Sequence, residues 1–93
     1  MYEQVEVVVH GKVQGVFFRD FVLRKAKGLH LMGEVYNRSD GTVFVVAEGP
    51  REHLQKLVNA LHMGPLMATV DRLEVEWYPI SYKYNSFRIT EEV

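Results

Sequence analysis

Two stretches of this chain hold residues that could do chemistry. The first is Gly11-Lys12-Val13-Gln14-Gly15-Val16-Phe17-Phe18-Arg19, and the second centres on Asn37. An alternating apolar run, Val5, Val7 and Val9, leads into the first stretch, and apolar residues at helical spacing follow it. It therefore reads as a strand end, a glycine-bearing loop and a helix start. A loop of this kind turns successive backbone N–H groups towards one point and makes an anion-binding concavity. The helix behind it contributes unpaired N–H groups and the positive end of its dipole. Arg19 adds a planar fork of donors suited to phosphate or carboxylate. Together these residues form an oxyanion cradle.

Asn37 is neither acid nor base at ordinary pH. It can donate and accept hydrogen bonds at once, so it can fix a water molecule. No cysteine exists to act as a nucleophile, and Ser39 has no evident base beside it. His10, at the end of the first strand, reads as a half-exposed strand residue without a placed catalytic partner. A cradle with Arg19 can hold a phosphoryl group and neutralise charge developing on its oxygens. It offers no proton to a poor leaving group. The set therefore suits a leaving group that departs unprotonated, such as a carboxylate, whose acid has a pKa of about 4. The chemistry indicated is attack of water on an activated phosphate, above all a carboxylic–phosphoric anhydride.

The elements that must position these groups follow from periodicity. Met1 to Lys12 reads as the first strand, with Val5, Val7 and Val9 on one face and Glu6, Val8 and His10 on the other. From Phe18 to Leu29, Phe18, Val22, Ala26 and Leu29 mark one face of a helix, widened by Phe21. Glu34 to Asn37 is a second strand, and the turn cluster Asn37-Arg38-Ser39-Asp40-Gly41 returns the chain into a third, Val43 to Glu48. Gly49-Pro50 opens a second helix carrying Leu54, Leu57, Val58 and Leu61, which Met63-Gly64-Pro65 stops. A fourth strand runs near Val70 to Tyr78, and Phe87-Arg88-Ile89 can add a short last one.

The order β-α-β-β-α-β is the ferredoxin-like split βαβ arrangement. It predicts an α+β sandwich in which an antiparallel sheet is covered on one face by two helices. In that topology the first two strands run parallel with the third between them. Their C-terminal ends, the Arg38–Gly41 turn and the start of the first helix then share one edge of the sheet. Arg19, Asn37 and the loop donors are expected to converge there. The Met63–Ala68 segment is expected to return to the same edge and to line its rim.

Both stretches also carry a resemblance. Gly11 to Arg19 resembles the G-x-V-Q-G-V-x-F-R signature of the acylphosphatases, and Gly33 to Val43 resembles their second signature, G-x-V-x-N-x-x-D-G-x-V. Ala47-Glu48-Gly49 and Gly64-Pro65 fall where that family places similar residues, so the likeness spans nearly the whole chain. The resemblance implies hydrolysis of acyl phosphates to a carboxylate and inorganic phosphate, on a ferredoxin-like fold, with no metal or organic cofactor. It implies that Gln14, Gly15, Val16, Phe17 and Phe18 form the phosphate loop. Arg19 would be the phosphate-binding catalytic arginine, and Asn37 would orient the attacking water. Two positions depart from the family pattern. His30 stands where glycine is common after the first helix, and Phe44 where a glutamate is frequent.

Bulk properties bound the rest. Ninety-three residues, 47% apolar with five Phe, five Tyr and one Trp, predict one domain over residues 1–93 with an ordinary core. The formal charge of −1 gives no basic footprint for nucleic acid. The third strand, Gly41 to Ala47, lacks the basic start and aromatic spacing of RNA-recognition domains. The four histidines have no metal-ligand spacing, and His30, His53 and His62 read as surface residues. No apolar run is long enough to span a bilayer, and the N-terminus lacks a signal-peptide pattern. The expectation is a monomer in the cytoplasm acting on a small anion. The alternative is a non-catalytic module on the same scaffold that binds or senses an anion.

Overall fold

Valines on alternate positions set the first strand, β1 (Tyr2–Lys12), and with it the register of the sheet. In the computed structural model, which describes residues 1–93, Val5, Val7 and Val9 have no solvent exposure. The other elements are α1 (Phe18–Gly28), β2 (Met32–Asn37), β3 (Val43–Pro50), α2 (Arg51–Met63), β4 (Thr69–Pro79) and β5 (Phe87–Ile89). The strand order is β4-β1-β3-β2-β5. As the topology requires, β3 lies between β1 and β2 and is antiparallel to both. One expectation is corrected. The short β5 pairs parallel with β2, Val35 opposite Ile89, so the sheet is mixed at that edge rather than wholly antiparallel.

The register carries the core. Val5, Val7 and Val9 sit opposite Ala47, Val45 and Val43 on one side and Trp77, Val75 and Leu73 on the other. Against this face α1 buries Phe18, Val22 and Ala26, and α2 buries Leu54, Leu57, Val58 and Leu61. Eighteen buried side chains form one cluster. Burying each large aliphatic side chain contributes about 1.5–3 kcal/mol, so this single face carries most of the favourable energy. The opposite face has no helix over it. There Phe44 packs on Tyr36 with ring centroids 5.2 Å apart, and the Arg38 guanidinium lies 5.8 Å from the Phe44 ring. Phe44, at a position where glutamate was the pattern, thus holds Arg38 against the sheet.

Helix α1 ends at the first of the two departures from the resembled pattern. His30 has φ 58°, a left-handed backbone. Its N–H donates to the Lys27 carbonyl, and the Leu31 N–H reaches back to the Ala26 carbonyl. Those two bonds are a Schellman motif, whose left-handed position is usually glycine. His53 is half-buried rather than a free surface residue: its Nδ1 bonds the Leu29 carbonyl at 2.9 Å, tying α2 to the end of α1.

Candidate active site

The phosphate-loop candidate leaves β1 through a kink. The β1–β4 register shifts between His10 and Gly11, a bulge that bends the strand. Gly11 has φ 134°, and a Cβ there would collide with the Thr69 carbonyl oxygen. Beyond it, Val13 and Val16 are buried in the core and pin both sides of the loop. Gly15 (φ 73°) and Phe17 (φ 63°) both take left-handed backbones. Two such residues within three positions give the tight reversal that turns main-chain N–H groups inward. Phe17 is the N-cap of α1, and no side chain caps that end. The first N–H groups of α1 therefore remain available to a ligand.

Gln14 fastens the loop to the other half of the site. Its Nε2 donates to the Arg38 carbonyl at 2.8 Å and to the Thr42 carbonyl at 2.9 Å. The turn it grips is itself braced. Asp40 Oδ1 accepts from the Thr42 N–H at 2.9 Å and the Thr42 hydroxyl at 2.6 Å. These two bonds hold the Asp40 carboxyl below its ordinary pKa. The Arg38 N–H donates to the Thr42 carbonyl, closing the base of the turn, and the Ser39 N–H donates to Glu92 Oε1 from the C-terminal segment.

Between loop and turn opens a cavity of about 320 Å³. Gly15, Phe17, Phe18, Arg19 and Asn37 all line it, so the two sequence stretches do meet at one place. Asn37 ends β2, and its Oδ1 is buried without a protein hydrogen-bond partner. A buried unpaired acceptor costs about 1–3 kcal/mol, and a native fold rarely keeps one without a use. Gln14 and Val16 do not line the cavity: the first serves as the brace just described and the second is core. Phe18 contributes while its ring stays in the core at 1% exposure, tilted against Phe21.

Three further lining residues were not singled out in the sequence: Val13, Asp20 and Ile89. Asp20 lines the mouth as an exposed residue of the first helical turn. Ile89 arrives only because β5 pairs with β2, a pairing that three residues barely announce. Conversely, Met63, Leu66 and Met67 are well exposed, but none of them lines this cavity, so the expected apolar rim does not form from that segment. His10 also stays out: it is the half-exposed strand residue expected, and its Nε2 bonds Glu74 of β4.

The likeness read from the two signatures extends to whole chains and to solved folds. A family model described as Acylphosphatase matches residues 5–89. An acylphosphatase of Salinibacter ruber is 40% identical over 87 residues, covering 94% of this chain and 92% of that one. The crystal structure of an acylphosphatase from Bacillus subtilis superposes with a TM-score of 0.92 at 38% identity, over 97% of this chain and 99% of that chain. Part of a full-length HypF, solved in its phosphate- and nucleotide-bound form, gives a TM-score of 0.89 at 27% identity and covers 99% of this chain but 12% of that one. Agreement over nearly the full length, in sequence and in fold alike, means that this chain belongs to the acylphosphatase family.

Proposed function

We propose that the protein is an acylphosphatase in activity as well as family, hydrolysing the carboxyl–phosphate bond of acyl phosphates. The observation that carries the reading is the meeting of Arg19 and the buried, unpartnered Oδ1 of Asn37 on one cavity beside the uncapped start of α1. N–H groups of the 14–18 loop and the Arg19 guanidinium hold the phosphoryl oxygens through charge-assisted bonds. Asn37 Oδ1 accepts a hydrogen bond from a water and orients its oxygen towards phosphorus. The water oxygen bonds to phosphorus, and the phosphorus–oxygen bond to the acyl group breaks with its electron pair leaving on the carboxylate. The water proton ends on the phosphate or in solvent, so no general acid is needed. Positioning and charge stabilisation supply the rate.

The proposal takes the enzyme to work as a monomer in the cytoplasm, on a small acyl phosphate, with no metal or organic cofactor. No helix of the structure is long and apolar enough to cross a membrane. Hydrolysis of acetyl phosphate in the presence of a chelator tests the reading, together with phosphate binding by the two variants. Asn37→Ala should lose rate yet bind inorganic phosphate normally, whereas Arg19→Ala should lose both. A wild type that binds phosphate in the same cavity without turnover would make it an anion-binding module instead.

A further inference from the structure

At the opposite edge of the sheet lies a second cavity of about 260 Å³ whose chemistry is the reverse of the first. The start of β1 brings Tyr2 to it, the α1–β2 connection His30, and the segment after β4 Ile80, Tyr82 and Tyr84; Glu48 at the end of β3 completes the lining on its acidic side. No lysine or arginine is among the lining residues. Tyr2 and Tyr82 are 64% and 80% exposed, which leaves their rings available as walls.

Glu48 is 2% exposed, an unusual place for a carboxylate. Burial alone would push its pKa up, but bonds from Ser81, Gln4 and Tyr82 outweigh it and hold the carboxyl below its ordinary value. It is therefore a buried negative charge. Those bonds are unevenly shared. Oε2 accepts from Gln4 Nε2 at 2.7 Å and from the Ser81 N–H at 2.8 Å and hydroxyl at 2.5 Å. Oε1 accepts only the Tyr82 N–H, at 3.2 Å, and keeps acceptor capacity to spare. A second carboxylate lies close by, Glu34, whose Oε2 accepts from the Tyr84 hydroxyl at 3.4 Å. The Tyr84 phenol is pushed up first by burial, then by Glu34 and Glu48. Tyr82 is held in a left-handed backbone, φ 61°, with its N–H on that same carboxylate. Aromatic walls and a buried anion, with no lysine or arginine in the lining, are the conditions under which an ammonium group binds over tyrosine faces.

We propose that this cavity is a second binding site, for a small organic cation: a methylated or alkyl ammonium head group walled by Tyr2, Tyr82 and Tyr84, with Glu48 as its counter-charge. The site is separate from the Arg19 cavity, with which it shares no lining residue.

The test uses choline as the probe and 3,3-dimethylbutan-1-ol as its uncharged counterpart of the same shape, at constant ionic strength. The readout is the amide resonances of Ser81 and Tyr82 in the wild-type protein. Choline should move them saturably, and the neutral compound should bind at least about tenfold more weakly, as expected when the charge carries the contact. Tyr82→Ala and Tyr2→Ala remove exposed rings and should fold; each should weaken choline by about 3–30-fold. Inorganic phosphate should leave these resonances in place. Equal binding of the neutral compound would overturn the proposal in favour of an apolar groove. Choline shifts unaffected by either tyrosine variant would place the cation elsewhere on the protein and also overturn it, as would the absence of saturation.

Discussion

In the proposed mechanism Asn37 and Arg19 carry different loads, and single substitutions should separate them. Arg19 offers a charge and several donors, and each charge-assisted bond contributes about 1.5–3 kcal/mol. Arg19→Ala should cut kcat/KM by about 10²–10⁴-fold and abolish phosphate binding in a calorimetric titration. Asn37→Ala should cost about 10²–10³-fold in kcat, the scale seen for removing one positioned polar group from an active site, with phosphate binding intact. It should also leave the fold as stable as wild type, or up to about 1 kcal/mol more stable in urea melts. The reason is that its Oδ1 is buried without a protein partner, so truncation removes an unpaired acceptor. Loss of stability alongside loss of rate would instead assign Asn37 to the scaffold. At this scale Arg19 and Asn37 are ordinary residues for a loop exit and a hairpin, and only the topology made their meeting at one cavity legible. The sequence was silent on Gln14, read only as part of the loop. Its bonds to the Arg38 and Thr42 carbonyls join two stretches far apart in sequence, and nothing local announces them.

The elements were read from period and punctuation, and most of them stand because both signals agree. The helical stripes of α1 and α2 are the residues that became buried, and the Asp40-Gly41 turn closes a hairpin whose register places Asn37 opposite Val43. Phe87–Ile89 was read as a short last strand and is one, but three residues carry no period to say where they pair, so the parallel pairing with β2 and Ile89's place at the cavity went unread. His30, standing where the resembled family commonly has glycine, does take the left-handed backbone that glycine favours. His30→Gly should relieve the left-handed backbone while adding chain entropy to the unfolded state. The net expected gain is about 0.5–1 kcal/mol, or about 2–8 °C in Tm by calorimetry. Gly33 in β2 is the opposite case. It has φ 146°, and an added Cβ would meet the Val46 carbonyl oxygen of the neighbouring strand. Gly33→Ala should cost about 3 kcal/mol or more in urea unfolding and displace the strand that ends in Asn37.

Across the whole molecule, three carboxylates set how stability responds to acid. Glu48 is buried, a cost that its bonds from Ser81, Gln4 and Tyr82 exceed. Asp40 is held low by Thr42, and Glu74 first by its bond from His10. All three have folded pKa values below their unfolded ones. Their stabilisation is therefore complete above the ordinary carboxylate pKa of about 4 and is lost as pH falls through the lower folded values. Urea melts between pH 6 and pH 3 should show stability falling with acid, and Glu48→Gln should flatten that slope while starting from a less stable protein. A slope unchanged in Glu48→Gln would remove Glu48 from this account. The proposed mechanism needs no proton donor: the folded frame brings Arg19, Asn37 and residues of the loop to one cavity, and the proposal leaves the chemistry there to water. The most direct test of that claim is hydrolysis of acetyl phosphate in ¹⁸O-labelled water with a chelator present. The label is predicted to appear in inorganic phosphate and not in acetate, with turnover unaffected by the chelator. Label in the acetate would mean that water attacks the carbonyl carbon, and the assignment of the cavity to phosphoryl transfer would be wrong.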